Sequence, residues 1–209
     1  MKNYVLGADP GKNGGIVLLD INCDINNVKQ SDLVLIPFKN KSTDDFDILK
    51  LYNKLVPYKP FIKFYLMEQI HAIFGSSAAS TFTFGEMFGS LKSILTILAN
   101  DGKSNADVRF ISPKVWQSQV WKTSHIVWDC SKARRKKDTK ATSLNAALDL
   151  YPNVSFIMPR CKKPHDGLVD AALIAHCAFN YYMNSLGSHD LVDVVLTDVG
   201  QESSPCFCV

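Results

Sequence analysis

Four acidic residues stand where a folded chain rarely keeps a charge without a reason. Asp9 follows the apolar run Val5-Leu6-Gly7-Ala8 and opens the turn-forming stretch Pro10-Gly11-Lys12-Asn13-Gly14-Gly15, and Glu68 closes the apolar run Phe64-Tyr65-Leu66-Met67. A carboxylate at the rim of a core is tolerated when it is hydrogen-bonded, paired or bound to a cation. Glycines beside it let a phosphate backbone come close. Asp166 and Asp170 lie four residues apart in His165-Asp166-Gly167-Leu168-Val169-Asp170-Ala171-Ala172. On a helix they share one face, one turn apart, and like charges at that spacing destabilise the helix unless something positive lies between them. Asp170 also precedes small and apolar residues, which sets its turn against a core rather than in water. Each acid alone has a plainer reading: a turn residue for Asp9, a surface strand end for Glu68, and a complement to the helix dipole for Asp166.

Together the four form an oxygen-rich set suited to Mg²⁺ or Mn²⁺ and not to zinc, which prefers nitrogen and sulfur. Two such ions about 3.5 to 4 Å apart would position a water for in-line attack on phosphorus and stabilise the leaving 3′ oxygen, with no covalent nucleophile. A matching basic footprint is local. The formal charge of the chain is only +3, but Lys132, Arg134, Arg135, Lys136 and Lys137 form a dense run, with Lys140 just beyond and Lys162 and Lys163 later. Such a run either contacts phosphates, with steep salt dependence, or is a solvated loop. Phe74, after Glu68, either stacks on an unpaired base, worth ~1 to 3 kcal/mol, or packs under its own loop. Trp116, Trp121 and Trp128 read as core or loop anchors rather than base readers.

The elements that would position these residues follow from periodicity. Tyr4 to Ala8 and Ile16 to Leu19 flank the glycine-rich turn as a hairpin, and Leu33 to Phe38 supplies a third strand. Asp44 to Val56 has apolar residues at helical spacing, with Thr43 or Asp44 as cap and Pro57 and Pro60 as stops. Phe61 to Met67 reads as a buried strand delivering Glu68, Phe82 to Ala99 as a long helix, and Val108 to Ile111 as another strand. From Pro113 to Ser131 the chain reads as irregular; Asp138 and Thr139 then open a helix reaching Leu150. His165 to Tyr182 is the last helix. The order of strands and helices predicts an α/β fold with one sheet covered by helices.

At 209 residues and 46% hydrophobic content the chain is expected to form one domain with a sizeable core, residues 1–185, followed by a tail or edge extension over 186–209. Six cysteines without zinc-ligand spacing, and the lack of an apolar leader, suggest a reducing cytoplasm. No stretch nears the roughly eighteen apolar residues of a membrane span.

The motifs Gly7-Ala8-Asp9-Pro10-Gly11, Met67-Glu68-Gln69, Ser112-Pro113-Lys114-Val115-Trp116, Lys137-Asp138-Thr139-Lys140-Ala141 and His165-Asp166-Gly167-Leu168-Val169-Asp170-Ala171, in this order and spacing, resemble the RuvC-type Holliday junction resolvases of the RNase H-like superfamily, in particular their phage-encoded branch. The resemblance runs from Tyr4 to about Tyr182. It implies an RNase H-like sheet of three antiparallel strands followed by parallel ones. It implies Asp9, Glu68, Asp166 and Asp170 as metal-binding acids for two Mg²⁺ or Mn²⁺ ions, Lys140 as a lysine near the scissile phosphate, and Lys122 as a second. Cellular bacterial members place the fourth ligand three residues before the last aspartate; here that position is Gly167, so Asp166 must substitute. Family members are homodimers that nick a four-way DNA junction symmetrically, and Gly85-Glu86-Met87-Phe88-Gly89-Ser90-Leu91 resembles their interface helix, although Phe84 and Phe88 read equally as core. A phage-encoded member would work in the host cytoplasm.

Three other functions fit parts of the pattern. One is an RNase H-like nuclease for RNA-DNA hybrids, flaps or packaging intermediates. Another is a catalytically silent junction-binding protein. The third, an actin- or sugar-kinase-like nucleotide binder, needs a second domain and a second glycine-rich phosphate loop that 209 residues do not supply.

Overall fold

The computed structural model describes residues 2–38, 47–71, 77–100, 108–129 and 135–187. Phe74, Lys132, Arg134 and most of the 186–209 extension lie outside the described residues. Strands β1 (Tyr4–Asp9), β2 (Gly15–Asp20), β3 (Leu33–Pro37), β4 (Ile62–Glu68) and β5 (Val108–Ile111) form one sheet in the order β3-β2-β1-β4-β5. The β1/β2 and β2/β3 pairs are antiparallel, and β1/β4 and β4/β5 are parallel. This is the mixed sheet that the family resemblance implies.

Two-residue alternation divides each strand between two apolar cores. Tyr4, Leu6 and Ala8 of β1, Ile16 and Leu18 of β2, and Tyr65 and Met67 of β4 join one core with helices α1 (Ile48–Leu55) and α2 (Ala78–Ala99). Val5, Val17, Leu19 and Leu66 join the other, with helices α3 (Pro113–Val120), α4 (Thr139–Leu150) and α5 (Asp166–Gly187). Full burial of each Val, Leu or Ile contributes ~1.5 to 3 kcal/mol, so both faces are firmly held. Helix α5 lies on β1 at a distance only glycine permits. A methyl group added at Gly7 would sit 2.2 Å from the Ala175 backbone nitrogen and 2.4 Å from the Ala171 carbonyl oxygen.

Helix boundaries follow local capping. Asp47, whose Oδ1 accepts from the Lys50 N–H at 2.8 Å, caps α1; Thr43 and Asp44, the caps expected from sequence, lie outside the described residues. Ser77 caps α2, which begins at Ala78, four residues before the expected start at Phe82. The stretch after Pro113 is not irregular: α3 occupies Pro113–Val120. Pro113 falls at its first helical position, where the missing N–H costs nothing, and Trp116 and Val120, one turn apart, face the core. Two short strands, β6 (Trp128–Asp129) and β7 (Lys136–Lys137), then pair antiparallel ahead of α4. Helix α5 continues past the expected end at Tyr182 to Gly187. No helix among the described residues is long and apolar enough to cross a membrane.

Candidate active site

The alternation that sorts the core also places the acids. Asp9 follows Val5 and Gly7 in parity, and Glu68 follows Phe64 and Leu66, so both project from strand ends on the α5 face. Ala8 pairs with Met67 across the parallel β1/β4 ladder, which makes Asp9 and Glu68 neighbours. Asp170 comes from the second turn of α5, next to Ala171, which rests on Gly7.

Each of the three carboxylates has one anchor. The Gly11 N–H donates to Asp9 Oδ1 at 2.9 Å, the Trp116 indole N–H donates to Glu68 Oε1 at 2.9 Å, and Ser143 of α4 hydrogen-bonds Asp170. Their proton affinities record their surroundings. Burial, followed by the charge of Glu68, pushes Asp9 up to about 7 against the Gly11 bond. Burial likewise takes Glu68 to about 7, with Asp170 adding to it and the Trp116 bond opposing. Asp170 reaches about 7 through burial and the charges of Asp9 and Asp166, opposed by Ser143 and Lys140. Three acids that raise one another in this way share one low-dielectric neighbourhood.

Asp166 sits differently. At the exposed start of α5 it accepts from Lys140 Nζ at 2.6 Å, and that contact holds the Lys140 ammonium above its usual value. Lys140, Ser143, Lys163, Asp166 and Asp170 line a cavity of about 260 Å³ between α4 and α5. Among the described residues no three His, Cys, Asp or Glu side chains are arranged to hold an ion as they stand, and Asp166 is paired with Lys140 across the α4/α5 cleft. The chemistry still fits a hard divalent cation. The donors are all carboxylate oxygens, and Asp170 Oδ1 is buried with no hydrogen-bond partner, a cost that a bound cation would remove.

The glycine at position 167 also has a cause. A methyl group there would lie 2.1 Å from the Asn13 carbonyl oxygen, so the hairpin turn excludes any acid at that position.

Lys122 is not brought to this cluster. Its Nζ pairs with Asp149 Oδ2 at 2.6 Å, where His125 Nε2 also approaches to 3.3 Å. Asp149 is near the far end of α4 from Lys140, nine residues or ~13 Å along the axis. Arg135, Lys136 and Lys137 are on or beside the β6/β7 ribbon. Arg135 stacks over Trp128 at 4.5 Å and Lys137 over Trp121 at 5.2 Å. The ribbon is tied to the Lys140 end of α4, since Asp138 caps the helix through Ala141 and its own N–H donates to the Val127 carbonyl. Trp116 and Trp121 are anchors, as expected, their rings meeting edge to face at 5.9 Å. Phe88 packs on Phe110, whereas Phe82 is 73% exposed and nothing lies within 4 Å of where side chains would begin at Gly85 and Gly89.

Sequence reasoning passed over Ser143 and the polar role of Trp116, and named Lys163 only as part of the basic footprint. Ser143 announces itself only as a small polar residue on the helix face that turns out to be buried. Trp116 was visible within Ser112-Pro113-Lys114-Val115-Trp116, but its partner depends on the β4/β5 register.

Among solved structures, the chain is similar to Thermus thermophilus RuvC in complex with a Holliday junction substrate, with a TM-score of 0.51 at 12% identity over 88% of this chain and 97% of that one. A structure of Thermus thermophilus RuvC gives a TM-score of 0.49 at 13% identity over 87% and 96%. No protein-family model matches the sequence, and no curated protein matches it. The fold is RuvC-like, of the RNase H type.

Proposed function

We propose that this protein is a divalent-metal-dependent endonuclease that resolves four-way DNA junctions and related branched DNA by paired symmetric nicks. The observation that carries this reading is the convergence of Asp9, Glu68 and Asp170 from β1, β4 and α5, each raised to about 7 by burial and, in part, by another's charge. Surface acids need no such neighbourhood. Mg²⁺ or Mn²⁺, when bound, would supply charge for water activation and for stabilising the leaving oxygen. Asp9, Glu68 and Asp170 would hold it, with Asp166 as the fourth candidate once released from Lys140.

Lys140, exposed beside this set, would hold a non-bridging phosphate oxygen and keep the backbone in line for attack. Arg135, Lys136 and Lys137 would grip flanking phosphates, and ring contacts hold Arg135 and Lys137 in place before DNA arrives. The sequence resemblance and the RuvC-like fold support the substrate class, and the motifs of the resemblance alone support the phage-encoded branch. The sequence resemblance also supports a homodimer, for which the exposed Phe82, Gly85 and Gly89 stripe of α2 is the surface we assign.

The test is the wild-type protein with Mg²⁺ on a synthetic four-way junction, with cuts mapped on all four strands. Paired nicks at symmetric positions are expected. Preference for an RNA-DNA hybrid, or the absence of cutting with junction binding intact, overturns the assignment.

A further inference from the structure

We propose that Trp116 is a positioning residue of the carboxylate site, holding Glu68 by one oxygen so that the other is left for a divalent cation shared with Asp9 and Asp170. The proposal rests on the reading of these acids as cation ligands.

The placement follows from the end of the sheet. Glu68 is in register with Ile111 on β5, and the next residue, Gln69, donates its N–H to the Ile111 carbonyl at 2.8 Å. The chain then turns at Ser112 directly into α3, so the first turn of that helix is delivered beside the end of β4. Trp116 arrives there 1% exposed, with its indole N–H 2.9 Å from Glu68 Oε1. Its ring is fixed by the edge-to-face contact with Trp121 and by the core it shares with Leu66, Ile111 and Val120.

A buried indole N–H usually finds an acceptor. At this position a phenylalanine would fill most of the same space without needing one. What the indole adds is a directed donor on a glutamate whose long side chain would otherwise have several rotamers to choose from at a strand end. Taking up Oε1 makes Glu68 a ligand through one oxygen. It also restricts where that oxygen can lie relative to Asp9 on the adjacent strand. Partners of this kind, which orient a ligand without touching the ion, typically change metal affinity by about 10- to 100-fold when removed.

The test uses Trp116→Phe in the full-length protein, which keeps the ring and deletes the donor. Calorimetric titration of metal-free protein with Mn²⁺ should show binding weakened by about 10- to 100-fold, with binding to a four-way junction in the absence of divalent ions unchanged. A second measurement does not depend on the variant folding. The chain has three tryptophans, so ¹⁵N-labelled protein gives three indole N–H signals, and Glu68→Gln should move the Trp116 signal by replacing a charged acceptor with a neutral one. Unchanged Mn²⁺ affinity in folded Trp116→Phe, or three unmoved indole signals in Glu68→Gln, overturns the positioning role. A wild-type protein that binds no Mn²⁺ overturns the metal reading beneath it, and this proposal with it.

Discussion

The two faces of the central sheet are built from the same strands by the same alternation, yet they end differently. On the α1/α2 face the last inward residues of β1 and β4 are Ala8 and Met67, both fully buried and apolar. On the α5 face the corresponding positions are Asp9 and Glu68, and the helix covering them adds Asp170. The first face follows the usual logic of a core, in which burial stabilises and nothing polar is left over. The second sets three carboxylates where burial disfavours their charge, and leaves one oxygen of Asp170 without a partner. A fold that wanted only stability would place apolar residues there, so the difference between the faces separates what holds the molecule together from what it is for.

The comparison breaks most sharply at the acids themselves. Asp9→Asn, Glu68→Gln and Asp170→Asn, each close in size to the residue replaced, should lower Mg²⁺-dependent junction cleavage by about 10²- to 10³-fold or more, the scale on which one preorganised electrostatic group acts. Junction binding should persist, since the phosphate-contacting cations are untouched. Cleavage rates with gel-shift binding on the same junction measure both. Retention of cleavage by any of the three removes that residue from the site.

The backbone contact under the site gives the next effect. Gly7→Ala forces a methyl group into the α5 backbone at 2.2 Å, and should destabilise the fold by about 3 kcal/mol, the upper end of ordinary overpacking costs. Ala8→Gly, one residue along and facing the other core, removes one buried methyl and should cost only about 1 to 2 kcal/mol. Urea denaturation of both variants reads the difference, and equal losses would show that the two faces are packed with the same tolerance.

A third effect is reversed in sign from ordinary acid denaturation. Asp9, Glu68 and Asp170 have folded values near 7, above the ordinary carboxylate values of 3.8, 4.5 and 3.8. Between roughly pH 4 and 7 the unfolded chain therefore holds fewer protons at these sites than the folded one, and their contribution to stability falls as pH rises. It is fully present below the unfolded values and lost once pH passes about 7. Metal-free protein should melt progressively lower from pH 5 to pH 8, and Asp170→Asn should flatten that slope. A wild-type melting profile identical to that of Asp170→Asn would show that Asp170 is not held in a low-dielectric pocket.

The contrast between the faces also explains what the sequence made legible. The individual strands, the acids at their ends and the α5 face followed from two-residue and 3.6-residue periods, because burial imposes those periods on residue type, whereas the strand order came only with the family resemblance. Asp170 was readable from the small residues after it. The engagement of Asp166 by Lys140, the Trp116 bond to Glu68 and the Ser143 bond to Asp170 were not readable, because each joins elements whose relative placement depends on helix packing and strand register. Helix α3 was missed although Pro113 at its first position and the Trp116 and Val120 spacing announce it; eight residues are too few for periodicity to stand out. Gly167 was noticed only as a departure from a motif, and its cause, the Asn13 carbonyl, lies on a hairpin more than 150 positions away in the chain.

The smallest expected effect compares the two ends of α4. Lys140, at its start, touches Asp166 and lines the cavity beside Asp170, so Lys140→Ala should slow cleavage clearly at saturating junction. Lys122 meets Asp149 near the other end, in a solvent-exposed pair. Such pairs contribute little because water screens the charges and two long side chains must be ordered to form them. Lys122→Ala should therefore leave the cleavage rate at saturating junction within about twofold of wild type and the melting temperature nearly unchanged. The informative measurement is the single-turnover rate of both variants on one junction at one salt concentration. A loss in Lys122→Ala as large as that in Lys140→Ala would mean that bound DNA draws the far end of α4 into the reaction, and that the functional face extends well past the carboxylate cluster.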